Sequence, residues 1–270
     1  MKAWPLALYT LKVTLKSKAT IAGLFVSLIY LTIVPAISSA GGGTAVSGNA
    51  AAGAAGMDFL RFALGGLDFI GMIMAVFLSL GSIHNEIESG MMGIIATKPI
   101  RRWQIIAGKW MGHALLMTIY VFAIGFILWL PLALSTGIPA WSFAPAIALV
   151  GLNLMAMIAL TLALSIFMPA VPNGLVVFII FALTSSLRVV NAISGFSSGI
   201  PGAVSADLFR MLLPVGPVAA EAAGLMGGKV GPSAQTAFFL TGTWSFVYEL
   251  IYIGALILIA SLAFQKLDLD

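Results

Sequence analysis

The chain contains no cysteine, which excludes disulfides, thiolate metal sites and cysteine nucleophiles. Its two histidines, His84 and His113, are too few for a histidine-rich metal centre, and no metal site is expected. Only 8% of the residues are charged, where a soluble domain carries roughly 25%. No charged block is long enough to build a soluble domain of its own. The phosphate-cradling pattern G-x-x-x-x-G-K-[ST] is absent, so the chain has no P-loop with which to hold ATP itself. The net charge of +4 is small. Its basic residues gather at the ends of apolar runs, which speaks for membrane orientation and against nucleic acid as a partner.

What is present is apolar. Hydrophobic residues make up 61% of the chain and the mean hydropathy is +1.11, the composition of an all-α integral membrane protein in one domain, residues 1–270. Six runs are long enough to span: 19–39, 64–84, 107–131, 144–168, 174–190 and 240–264. Ahead of them, Trp4, Leu8, Leu11 and Leu15 form a helical stripe flanked by Lys2, Lys12 and Lys16, the pattern of an amphipathic helix over 1–18 lying in the membrane interface. Ser38-Ser39-Ala40 resembles a signal-peptide cleavage site, but the basic region and the apolar run are both too long for a signal peptide. Residues 41–56 read as a low-complexity Gly/Ala/Ser linker. The third run is expected to stop at Pro131. Pro169, Pro172 and Asn173 form a tight turn, with Asn173 placed to cap the next helix. The longest non-spanning stretch, 191–239, carries a short apolar face of Leu208, Met211 and Leu212.

Six spans place both termini on one side. Lys2, Lys12, Lys16, Lys18, Lys98, Arg101, Arg102, Lys109 and Lys266 share that side, and Arg61, Arg188, Arg210 and Lys229 fall on the other. The positive-inside rule makes the first side cytoplasmic, with the chain multi-pass in the cytoplasmic (inner) membrane and 191–239 external.

The chain is organised around residues 81–112, its most polar long stretch, whose core 85–106 is a cytoplasmic loop. Met91, Met92, Ile94 and Ile95 are apolar residues set between Glu86 and Glu88 on one side and Arg101 and Arg102 on the other. Such a face is buried either against a partner protein or against the membrane surface. Gly195-Phe196-Ser197-Ser198-Gly199 fits the nucleophile-elbow pattern. Both histidines, however, lie across the bilayer from Ser197, roughly 30 Å away, so a Gly/Ser turn explains it better and no catalytic residue is assigned. Met72 and Met74 share a span and read as gap-filling core residues in preference to a copper path. Glu249 lies about nine residues into the last run, near mid-bilayer, where an ionisable side chain needs a partner or a neutral form. Asn153 and Arg188 are its candidate partners, and Asp68 is a second member of the same intramembrane polar set.

The loop residues also carry a resemblance. Glu86, Glu88 and Gly90, then Thr97, Lys98, Pro99, Ile100 and Arg102, then Gly108 and Lys109, look like the first cytoplasmic loop of the permeases of type-2 ABC exporters. Met91 departs from that pattern, where Thr is usual. The basic amphipathic N-terminus and the six-span plan are similar to the same family. The resemblance implies a permease subunit that binds no cofactor itself, with ATP and Mg held by a separate ABC ATPase present in two copies. It also implies a second permease chain, identical or paralogous. Residues 86–102, including Pro99, would form the coupling helix that sits in a groove of that ATPase. The alternatives are a membrane-embedded enzyme, which needs a cluster of catalytic polar residues, and an assembly protein that binds a partner without transport.

Overall fold

The computed structural model describes residues 3–40, 50–89, 102–136, 140–193 and 243–265, with side chains over 4–18, 20–33, 63–89, 103–130, 144–184 and 246–265. No strand occurs among the described residues. The helices are α1 (Ala3–Leu15), α2 (Lys18–Ala40), α3 (Ala50–Ser79), the short α4 (His84–Glu88), α5 (Arg102–Thr136), α6 (Ala140–Leu164), α7 (Ala170–Ile193) and α8 (Thr243–Gln265).

Four of these carry stretches long and apolar enough to cross a membrane: Ala63–Glu88, Trp103–Leu130, Ala144–Leu164 and Phe246–Gln265. The pair α1 and α2 passes the same test jointly, bent by 62° between its two parts, and the described apolar stretch of α7, Ala170–Thr184, is shorter. Of the six runs read from the sequence, four are clear spans among the described residues, and α2 and α7 are apolar helices whose described stretches do not pass that test on their own.

Helix α6 is the hub. It packs against α3, α5, α7 and α8, and α2 reaches the bundle through α3. Ala146, Val150, Leu154, Met157 and Ile158 of α6 are fully enclosed. Leu250, Ile251, Leu258 and Ile259 of α8 and Leu175 and Ile179 of α7 face outward, the apolar exterior that a bilayer requires of a bundle. Polar contacts tie several of the described helices together. Ser27 and Tyr120 share a hydrogen bond of 2.8 Å between α2 and α5. The Tyr30 hydroxyl donates to the Ala63 carbonyl of α3 at 3.2 Å, and Trp110 Nε1 donates to the Met155 carbonyl of α6 at 3.2 Å.

Helix α1 lies along α5 with a face beside its apolar stripe, whose Leu11 packs against the core. Ala7 and Thr14 are buried, while Trp4, Leu8 and Leu15 point outward. Small residues allow this approach. A Cβ on Gly112 would lie 2.6 Å from Thr10 Cβ and 2.8 Å from the Ala7 carbonyl oxygen. The outward stripe stays available for a membrane interface, as the spacing requires.

Several boundaries differ from the sequence reading; α5, for one, already begins at Arg102, inside the 85–106 stretch read as loop. The 41–56 linker is shorter than expected, because α3 already begins at Ala50; alanine is the best helix former and the run there is nearly all alanine. Helix α5 continues past Pro131 to Thr136, since a proline removes one backbone donor without ending a helix that its surroundings support. Asn173 does not cap α7, which starts at Ala170. Pro172 fits in the first turn, where a backbone N–H would have no partner anyway. Asn173 instead turns its amide across to α6, donating to the Thr161 carbonyl at 3.0 Å.

Candidate functional site

The chain between α3 and α5 leaves the bundle through a tight polar elbow. Helix α3 ends at Ser79, and Gly81 then takes φ +64, a left-handed conformation that suits glycine. Its missing side chain also makes room, since a Cβ would meet Asn85 at 2.9 Å and Ala170 Cβ at 3.1 Å. Beyond this turn stands α4, only five residues long. A helix of that length has no stability of its own in water, so its direction is set by what holds it.

Three elements hold it. From α5, Lys109 Nζ lies 2.6 Å from Glu86 Oε2 and donates to the Ser82 carbonyl. The side chains of Lys109 and Glu86 are 5% and 29% exposed, so this pair is largely withdrawn from solvent. From the end of α6, the Ser165 hydroxyl accepts from Ile83 N at 3.0 Å and His84 N at 3.3 Å. From α7, Ala170 closes on Gly81 and Gly174 on Leu80. Ile83 is buried in the core beneath. On the outer side, Glu88 pairs with His84 at 3.4 Å, an exposed contact of small weight. One turn along α5 from Lys109, His113 is buried with neither ring nitrogen hydrogen-bonded among the described residues.

A second polar group lies inside the bundle. Asp68 of α3 and Asn153 of α6 are both 0% exposed, and Asn153 Nδ2 donates to Asp68 Oδ1 at 2.9 Å. This bond joins two spans at the hub. Replacing Asn153 by Leu should lower the thermal unfolding midpoint in detergent micelles, by the equivalent of about 0.5–2 kcal/mol, the range of interhelical hydrogen bonds in membranes. Asp68→Asn, which keeps an acceptor for the amide, should unfold close to the parent. Equal melting of the parent and Asn153→Leu would show that the bond contributes nothing.

The family model described as ABC-2 family transporter protein matches residues 5–269, almost the whole chain. This chain belongs to the ABC-2 transporter family. No curated protein matches it. As an ABC-2 transporter chain it is a multi-pass membrane permease of the ABC type, and permeases of this family associate with an ABC ATPase.

Against that identity, the expected site residues sort into three groups. Glu86 and Glu88 fall on α4. Glu86 takes Lys109 as its partner, and the arginines that the sequence placed across the turn are not in view: Arg101 and the Arg102 side chain lie outside the described residues, as do Gly90, Met91, Met92, Ile94, Ile95 and Pro99. Asp68 and Asn153 are brought together, so the Asn153 amide nitrogen serves Asp68. Glu249 is 4% exposed and is the seventh residue of the described α8. The Arg188 side chain, like the segment 194–242 that contains Ser197, is outside the described residues. Sequence reasoning missed Ser165 and the partnership of Lys109. Lys109 was visible as a lysine at the start of an apolar run. Ser165 carries no local signal, because its partners are 81 and 82 residues away.

Proposed function

We propose that this permease is the transmembrane subunit of an ATP-driven exporter whose coupling element is the elbow at α4 and the segment after it. The observation that carries this reading is the Lys109–Glu86 pair, which ties the start of the loop to a long span of the bundle. A displacement of the loop is then delivered to packed helices and not lost in a linker. The chain contributes six spans with both termini in the cytoplasm of the inner membrane. It pairs with a second permease chain, and two ATPase subunits bring ATP and Mg. Closure of the ATPase pair moves both coupling elements, and the bundles shift between two packings. Glu86 and Glu88 act in this transmission and not in chemistry.

The test is capture of the ATPase. The tagged permease, solubilised from its native membrane, should retain a nucleotide-binding ATPase. Ile94→Asp combined with Ile95→Asp places charge in the docking face and should cut that yield at least about tenfold, a change of about 1.4 kcal/mol, while membrane insertion persists. Full retention by the double variant would overturn the assignment of the loop.

A further inference from the structure

We propose that Ser165 is a positioning residue, through which α6 rather than α3 takes up the displacement of α4. The proposal rests on the coupling reading above, in which a partner pushes on the segment that follows α4. Helix α3 is continuous with α4 in sequence, and a rigid connection would make it the receiver. The helix is interrupted at Gly81, whose φ of +64 gives the chain a weak point between α3 and α4, although the two lie in one apolar stretch, Ala63–Glu88. The backbone N–H groups at the start of α4 receive no cap from its own side chains. They are held instead by Ser165, one residue past the end of α6 and fully buried. A serine side chain is short, so a hydroxyl accepting two amides fixes α4 to α6 within hydrogen-bond length. Lys109 also tethers α4, to α5, but through a flexible four-carbon stem that tolerates movement. Helix α7 follows α6, because Asn173 donates to the Thr161 carbonyl one turn above Ser165 and Ala170 abuts Gly81. The push therefore arrives at the hub of the bundle, from which α3, α5, α7 and α8 are all within contact.

The absence of native cysteine makes the test direct. Spin labels are placed on Ser89→Cys with Phe167→Cys, and separately on Ser89→Cys with Phe77→Cys, all three positions being exposed. The full chain is measured in lipid nanodiscs, alone and with its co-purified ATPase under ATP and Mg. The 89–167 distance should be narrow and unchanged by ATP, while the 89–77 distance shifts across the Gly81 turn. Ser165→Ala should broaden the 89–167 distribution and make it respond to ATP, and Ser165→Thr, which restores the hydroxyl, should return it to the parent. A parent whose 89–167 distance shifts while 89–77 holds would overturn the proposal, as would Ser165→Ala distributions identical to the parent. Failure to bind any ATPase would count against the coupling reading alone, since the distributions of the isolated chain still judge the tether. If Ser165→Ala does not fold, amide exchange in the unaltered chain decides: Ile83 and His84 must exchange as slowly as the last turn of α6, and fast exchange overturns the tether.

Discussion

Replacing Lys109 by Met is expected to loosen the elbow more than any other single change there. The substitution keeps the length of the side chain and removes its charge and donors. Glu86, 29% exposed and within 2.6 Å of the lost ammonium, is left without its counter-charge, and the Ser82 carbonyl loses its donor. Removing one member of a buried pair costs about 3–5 kcal/mol. The remaining solvent access of Glu86 reduces this to about 2–4 kcal/mol, because water screens the stranded carboxylate in part. The measurement is thermal unfolding in micelles followed by tryptophan fluorescence. Glu86→Gln on the Lys109→Met background should recover more than half of the loss, because a neutral amide is less costly to leave partly desolvated and unpaired than a carboxylate. Melting of Lys109→Met with the parent would show that the pair does not hold α4.

Gly112→Leu is expected to lift α1 off α5. A new side chain would meet Thr10 Cβ at 2.6 Å and, behind it, a backbone atom, the Ala7 carbonyl oxygen, at 2.8 Å. A flexible side chain could swing aside, but a helix backbone can only translate. Overpacking of this kind costs about 1–3 kcal/mol, or more where several atoms must be accommodated, and an isobutyl group asks for the upper end. The readout is limited trypsin treatment of the chain in nanodiscs. Peptides ending at Lys12, exposed on α1, and at Lys16, exposed just after it, should be released several times faster from Gly112→Leu than from the parent; Gly112→Ala should lie between. Unchanged release would show that α1 has another anchor.

The two regions differ in how far the sequence could read them. The apolar stripe of Trp4, Leu8, Leu11 and Leu15 was legible because helical spacing alone defines it, and the structure leaves all of it but Leu11 facing outward. The face that docks on α5 was not legible. Ala7, Thr10 and Thr14 form no apolar stripe, and Ala7 and Thr10 meet Gly112 by close fit. In the membrane, packing between helices is driven by close approach of small residues and not by hydrophobicity, so hydropathy is silent about which helices meet. The same reason hid the Asp68–Asn153 bond: each residue stood out as polar inside a span, but its partner was set by the packing of α3 on α6.

The sequence by itself determined the class of the protein, the identity of its apolar runs, the special character of residues 81–112 and the family to which they point. Composition and the distribution of charge act locally along the chain, through the cost of placing each residue in hydrocarbon, and need no tertiary information. Only the tertiary structure decided that Glu86 is held by Lys109, that Asn173 secures α6 to α7 in place of capping a helix, and that Ser165 holds α4. Those outcomes depend on which polar groups the packed helices bring within hydrogen-bond distance. In a medium without water every such group must find a partner inside the protein, and the partner is chosen by the geometry of the bundle.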